Sequence, residues 1–401
     1  MAGLALTKRL NAERRGAIVR RWAGDRRPML VDVSLAFLLS RLIFYAAALV
    51  ALWALPEYHA GAYVPWHTPS PALIDASWRW DAGWYGTIIA HGYRLVPGQN
   101  NVAFFPLYPL LVRLALLPFS LKWMYLAGVL VNHLAFLAAL VAIWSYVERT
   151  GGRGLARRTL YLLAIFPGSF FFAAAYSESV FLLTAAGVFL ALQRGRYGLA
   201  GGCALLASLT RPPGILLALP IAVELWRRHR AGISELARRG TALLLVPLGP
   251  LLLMSYFWWR FGQPLVFLSA QGSWTRTRAT PWWTLTKSLD LIESGGGWNL
   301  QLMVVVNTAA VLLALVLGLA LLGREPAAAV FVLASIAVPL AFPPSTNPST
   351  SLARFVVVLF PLFVQLARWA RQRLTLALLT AVFLPTNFLL AALFVRWYWV
   401  V

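Results

Sequence analysis

Apolar runs of about twenty residues recur from Val31 to Val395, separated by short segments rich in Arg, Pro or Gly. That recurrence leaves few options. A backbone in hydrocarbon must satisfy its own hydrogen bonds, so such a chain folds as helices packed across a bilayer. Composition agrees: 60% of residues are hydrophobic and 12% charged, against about 45–50% and about 25% in soluble domains.

The runs place spans near 31–55, 123–147, 159–176, 178–193, 197–211, 213–226, 240–259, 299–322, 327–342, 354–369 and 374–395. The expected fold is therefore an all-α polytopic membrane protein of about 11 transmembrane helices. The segment Phe104–Phe119 is apolar but short and carries three prolines and Arg113, so it reads as an interfacial or re-entrant helix in the first external loop. No tandem repeat or soluble domain boundary is evident. The organisation expected is a basic cytoplasmic segment, residues 1–30, followed by one transmembrane domain, 31–401. Residues 1–30 are too poor in apolar residues for the core of a cleaved signal.

The net charge of +22 falls in short clusters between the apolar runs. With residues 1–30 inside, this path puts most Lys and Arg on the cytoplasmic side, as the positive-inside rule requires. Anionic headgroups are thus the expected partner, and nucleic acid is not. Cys203 stands alone, so there is no intramolecular disulfide and no cysteine cluster.

The stretch Ser77–Pro109, SWRWDAGWYGTIIAHGYRLVPGQNNVAFFPLYP, sets one carboxylate, Asp81, among Trp78, Trp80, Trp84 and Tyr85. Asp81 is a good N-cap for a helix Ala82–His91 ended by Gly92, which would account for it without chemistry. Equally, Trp78, Asp81, Tyr85 and Ile88 fall at helical spacing, and a carboxylate desolvated by such rings becomes a better base.

Other groups sit on the same, outer side. Glu178, in Phe166–Phe181, lies at the apex of a helical hairpin near membrane depth, where ionisable groups usually face a cavity; the alternative is a helix cap. Arg211 follows Thr210 and precedes Pro212-Pro213-Gly214, at a broken helix. Arg354 sits in the first turn of a helix, where it opposes the helix dipole. A bound phosphate explains both arginines, and snorkelling to headgroups is the alternative. The loop 260–298 adds Gln271, Trp274, Arg276, Arg278, Trp282 and Trp283, which suit sugar stacking or an interface belt. There is no phosphate-cradling loop and no dinucleotide fingerprint. The histidines lack ligand spacing, so no metal site and no cofactor is expected.

The motif Arg79-Trp80-Asp81-Ala82-Gly83-Trp84-Tyr85, then His91-Gly92-Tyr93 and Ala103-Phe104-Phe105-Pro106-Leu107-Tyr108-Pro109, resembles the PIG-V family. These are the second mannosyltransferases of GPI assembly and their prokaryotic relatives. Pro167 with Tyr176-Ser177-Glu178-Ser179, Thr210-Arg211-Pro212 with Gly214, and Ser351 with Arg354-Phe355 extend the resemblance over about 30–365.

The resemblance implies a GT-C glycosyltransferase fold, a polyprenyl-phosphate sugar donor and Asp81 as catalytic base. The expected reaction is inverting and metal-independent. Arg354, with Arg211 or Arg276, would face the departing phosphate and Glu178 would orient a sugar. Trp80, Trp84, Tyr85, Tyr176 and Gln271 would complete the substrate site. No soluble domain is present for a nucleotide sugar, so the donor would arrive through the lipid. The acceptor is an unknown glycan, lipid or protein hydroxyl. The location implied is a prokaryotic plasma membrane, with the N-terminus cytoplasmic and the site outside. The rivals are a lipid or glycolipid transporter, with polar residues at mid-bilayer and symmetric broken helices, and a non-catalytic membrane subunit.

Overall fold

The computed structural model describes residues 27–59, 65–95, 101–227, 233–270, 272, 275–295 and 297–400, with the backbone alone at 233–238. Most of the basic segment 1–30 therefore lies outside the described residues, as do Gln271 and Trp274.

The chain enters the membrane domain on α1 (Arg27–Ala54). A long loop then carries the short helices α2 (Ala72–Ala76), α3 (Ala82–His91) and α4 (Leu107–Ala115), ahead of the long α5 (Met124–Ile165). Next come α6 (Glu178–Gln193), α7 (Tyr197–Ser208), α8 (Ala218–Arg227), α9 (Ile233–Leu245) and α10 (Leu248–Phe261). A second long loop holds α11 (Val266–Ser269) and α12 (Pro281–Glu293). The remainder is α13 (Trp298–Leu322), α14 (Pro326–Ala341), α15 (Leu352–Val357), α16 (Phe360–Trp369) and α17 (Arg373–Val395). Among the described residues the one bridge outside helices joins Arg276 to Pro344.

Among the described residues, five helical stretches, Arg27–Ala54, Leu121–Ile165, Arg239–Phe261, Trp298–Leu322 and Arg373–Val395, are long and apolar enough to cross a membrane. The protein is an integral membrane protein. The other expected spans are helical but shorter or broken, so eleven continuous spans are not reproduced. The breaks have local causes. Pro212 and Pro213 turn the start of 213–226 into a 3₁₀ segment, and Pro361 restarts a helix after Leu359, dividing 354–369 into α15 and α16. In α5, Gly152 adopts φ 76°, ψ 171°, a left-handed kink that only glycine takes without strain. The helix α4 has 9 residues and rises only about 13 Å, under half of a hydrocarbon thickness of about 30 Å. It does not span, as its prolines and Arg113 predict.

The core is built on α5, which packs along α1, α6 and α16. Beside it runs Phe166–Ser177, a stretch with only a 3₁₀ turn, Ser169–Phe172, that is buried throughout. Irregular backbone at that depth needs internal partners. Arg41 Nη1 donates to the Phe172 carbonyl at 2.7 Å, and Asn132 Nδ2 donates to Phe172 O at 3.1 Å and to Ala174 O. Ser169 Oγ donates to Leu163 O, and Ala175 N to Ser77 O at 2.8 Å. Arg41 and Asn132 thus hold the turn that delivers Tyr176, Ser177 and Glu178.

Candidate active site

Asp81 sits on a turn fastened from below. Asp75 accepts from Thr68 N at 2.6 Å and Thr68 Oγ1 at 3.0 Å, and pairs with Arg79 Nη2 at 2.7 Å. Burial works to raise the Asp75 carboxyl, but the hydrogen bonds from Arg79, His67 and Thr68 outweigh it and hold it below the usual carboxylate range. Arg79 is itself buried, with Nε on the Val395 carbonyl at 2.8 Å and its guanidinium 5.1 Å from the Trp397 ring. Trp80 follows at φ 54°, in the left-handed region. Tyr176 then bridges the turn: its hydroxyl donates to Arg79 O at 3.0 Å and accepts from Asp81 N at 3.1 Å.

Asp81 occupies the N-cap position of α3 but its side chain makes no cap bond. It turns instead to Arg354, whose Nη1 lies 2.5 Å from Oδ2. The capping explanation for this carboxylate is therefore not the one the structure uses. Asp81 keeps 24% of its side chain exposed.

Behind it lies a fully buried carboxylate. Glu178 Oε1 accepts from Arg354 Nε and from Arg211 Nη1, the latter at 2.7 Å, while its Oε2 is buried with no hydrogen-bond partner. Arg354 also stands over the Tyr176 ring at 4.4 Å and the Phe171 ring at 5.4 Å. Sequence and packing explain both arginines. Gly214 approaches Ala207 so closely that a Cβ would meet its carbonyl carbon at 2.3 Å, which folds the Arg211 corner against α7. Ser351, at φ 67°, starts α15, and the buried Asn307 Oδ1 accepts from Ala353 N at 2.7 Å.

Arg276 joins from the second loop. Thr277 N donates to Pro343 O and Ser345 N to Thr275 O, both at 3.0 Å, and Arg276 Nη1 donates to Phe342 O at 2.9 Å. Its guanidinium lies 5.9 Å from the Phe355 ring, on which Arg211 also lies, at 5.5 Å. Burial lowers its pKa, and Asp81 opposes the shift. Counting Asp81 and Glu178 against Arg211, Arg276 and Arg354, the group carries one excess positive charge. A small crevice beside Arg211 is lined by Phe181, Pro213, Ser335, Phe355 and Leu359, and Ser335 Oγ is buried there without a partner. Such a site suits an anion attached to an apolar chain.

Backbone strain converges on the same place. Among the described residues, four non-glycine residues have positive φ: Trp80, Thr275, Ser351 and Trp397. The first two precede Asp81 and Arg276, the third starts the helix of Arg354, and Trp397 packs on Trp80. Each costs about 1–3 kcal/mol and persists only where surroundings over-determine it, as at functional sites.

Of the residues expected from sequence, Asp81, Glu178, Arg211, Arg276, Arg354 and Tyr176 come together, with Tyr85 beside them. Tyr85 Oη donates to Ser177 Oγ at 2.9 Å, and burial, with Glu178 nearby, pushes its hydroxyl up to about 12. Trp84 stacks on Phe104 at 6.1 Å, half-buried at the rim. Tyr176 is 1% exposed and its hydroxyl is used internally, so it positions the site and does not face a substrate. Trp78 departs from the expected helical face: the left-handed Trp80 breaks the register, and Trp78 Nε1 donates to Tyr125 O at 3.0 Å in the core. Arg79, Asn307, Trp397 and Trp399 were not singled out by sequence. Arg79 lies inside the motif, and a buried arginine beside an i−4 aspartate was the available signal.

Residues 30–218 match the family described as Mannosyltransferase (PIG-V). The match takes in Asp81, Glu178 and Arg211; Arg276 and Arg354 lie beyond it. No curated protein matches the chain. Among solved structures, the Archaeoglobus fulgidus oligosaccharyltransferase complexed with Zn and sulfate is 13% identical at a TM-score of 0.47, covering 89% of this chain and 53% of that one. Its apo form gives 12% and 0.46, over 95% and 57%. The archaeal oligosaccharyltransferase bound to an inhibitory peptide and a dolichol-phosphate gives 12% and 0.43, over 92% and 56%. The chain thus spans little more than half the length of these proteins. By sequence, the part of the chain that carries Asp81, Glu178 and Arg211, residues 30–218, is similar to the mannosyltransferase (PIG-V) family.

Proposed function

We propose that the chain is a GT-C-type membrane glycosyltransferase that moves a sugar, mannose by its similarity to the PIG-V family, from a polyprenyl-phosphate donor to an extracytoplasmic hydroxyl. The observation that carries this reading is the pairing of a part-exposed carboxylate, Asp81, with three clustered arginines, two of them held by a buried glutamate. Asp81 takes the proton of the acceptor hydroxyl as its oxygen bonds to the anomeric carbon. The bond from that carbon to the phosphate oxygen breaks on the opposite face, so configuration inverts. A positioned base of this kind contributes about 10²–10⁴-fold. Arg354, Arg211 and Arg276 receive the negative charge that develops on the leaving phosphate, and an electrostatic donor of that type is worth roughly 3–4 kcal/mol. The excess positive charge of the cluster equals the single negative charge of a phosphodiester.

Side preference follows from helix direction. The helix α6 starts at Glu178 and ends at Gln193, beside Arg194 and Arg196, and α13 ends next to Arg324. The basic end is thus opposite the site, and the positive-inside rule supports a site facing out and anionic headgroups at the other end. A transporter reading has less support, because Asp81, Glu178, Arg211 and Arg354 are locked in ion pairs at one end of the helices.

The test is transfer by the purified protein in proteoliposomes supplied with polyprenyl-phosphate-[³H]mannose and a membrane-lipid and glycan extract. Label should leave the donor and appear in an acceptor with wild-type protein and not with Asp81→Asn. Donor consumption that is equal in the two proteins, or absent in both, overturns the reading.

A further inference from the structure

Three consecutive residues, Trp66, His67 and Thr68, strap the first loop onto the turn that carries Asp81. The Trp66 ring lies so near Gly83, two residues past Asp81, that a Cβ there would meet it at 2.8 Å, and it packs on Trp397 at 5.4 Å. Thr68 donates to Asp75 Oδ1 through both its N and its Oγ1, and Asp75 in turn holds Arg79, two residues before Asp81. The strap therefore grips the turn on both sides of the proposed base.

Between these two grips, His67 stands between two acids. Its Nδ1 lies 3.0 Å from Asp75 Oδ2, and its Nε2 lies 3.0 Å from Glu57 Oε1, an oxygen buried with no other partner among the described residues. A neutral imidazole has one N–H and would turn a lone pair towards one of these carboxylates; only the charged ring donates to both. The other charged or titratable groups around this cluster are Arg79, 2.7 Å from Asp75 Oδ2, and Tyr125 of α5, within electrostatic reach of Asp75. Arg396, beyond α17, accepts from Tyr58 N at 2.9 Å through its carbonyl. Among the described residues, His67 alone joins Glu57, just past α1, to Asp75 of α2. Its side chain is 49% exposed, so it can exchange protons with solution, and histidine is the side chain that ordinarily changes charge between about pH 5 and 8.

We propose that His67 is a positioning residue: as an imidazolium it clasps the Trp66–Thr68 strap over the Asp81 turn, and on losing its proton it lets go of one acid and loosens the aim of the base. The effect on transfer rests on the glycosyltransferase reading, whereas the clasp does not.

The experiment compares wild type, His67→Gln and His67→Arg, as full chains, at pH 6 and pH 9, above the usual carboxylate range. Arginine keeps a permanent charge with N–H groups on more than one edge. In proteoliposomes, kcat of wild type should exceed that of His67→Gln by roughly twofold to fivefold at pH 6, the worth of a half-exposed ion pair, and match it at pH 9. His67→Arg should keep its advantage over His67→Gln at both, with the donor KM near wild type throughout. Thermal unfolding in micelles should show the same pattern, a gap of about 1–3 °C between wild type and His67→Gln at pH 6 that closes by pH 9. A merely structural histidine would give gaps indifferent to pH, and that outcome overturns the proposal. A stability gap that closes while the kcat ratio stays constant overturns the positioning role. Absence of transfer in every protein, with the stability gap behaving as stated, counts against the enzyme reading alone.

Discussion

Arg354 joins two carboxylates with one guanidinium: Nη1 lies 2.5 Å from Asp81 Oδ2, and Nε donates to Glu178. The two acids differ sharply in setting. Asp81 is 24% exposed and Glu178 fully buried, so one can meet a substrate and the other fixes the arginine that restrains it. Substrate phosphate would compete for the same guanidinium, loosening its hold on Asp81 as the donor binds.

Replacing Asp81 by Asn removes the proton acceptor while keeping shape. Its main-chain N–H remains on Tyr176, and Arg354 keeps Glu178. Transfer should fall by about 10²–10⁴-fold, with the unfolding temperature little changed because the lost ion pair is partly solvated. Initial rates and thermal unfolding on the same preparation check both halves.

Glu178→Gln should do the opposite. It takes the carboxylate from the buried Arg211 and leaves Arg354 with Asp81 alone, and breaking such a pair from one side costs about 3–5 kcal/mol. Denaturant unfolding in micelles should reveal a loss far larger than that of Asp81→Asn. Equal stabilities for the two variants would contradict the arrangement.

The Asp75 latch carries a pH signature. Its carboxyl is held below the usual range, so it adds stability above the unfolded-state value, about 3.9, and that stability is lost as pH falls through the folded value. At pH 7, Asp75→Asn should be less stable by roughly 1.5–3 kcal/mol, the worth of hydrogen bonds to a charged group. The gap to wild type should persist at pH 5 and close below pH 4. A gap independent of pH would remove Asp75 from the role.

The legible part of this protein was what depends on local pattern. Apolar runs gave the helices, and the prolines and Arg113 marked α4 as too short to cross. Asp81, Glu178, Arg211, Arg276 and Arg354 stood out singly, because charge near membrane depth is costly and needs a reason. What could not be read was how they pair. Their separations run from tens of residues to 273 for Asp81 and Arg354, and no local period encodes such contacts. Backbone strain was equally hidden: tryptophan avoids the left-handed region, so nothing in the letters Arg-Trp-Asp places Trp80 there and takes Trp78 out of register with Asp81. Trp397 and Trp399 follow the last apolar run, and nothing local in the sequence ties them to Trp80, against which both rings pack.

Tyr176 is the residue whose two functions can be separated. Its ring lies 4.4 Å from the Arg354 guanidinium, and its hydroxyl ties Arg79 O to Asp81 N. Tyr176→Phe keeps the first and removes the second, costing about 0.5–1.5 kcal/mol per hydrogen bond in a turn that must aim a carboxylate. The maximal rate should drop while the donor KM stays near wild type, since Arg354, Arg211 and Arg276 are untouched. Tyr176→Leu also strips the cation–π contact, about 0.5–2 kcal/mol, and should raise the donor KM as well. Steady-state rates against donor concentration for both variants separate the two effects, and a Phe variant identical to wild type would show that the hydroxyl does not position Asp81.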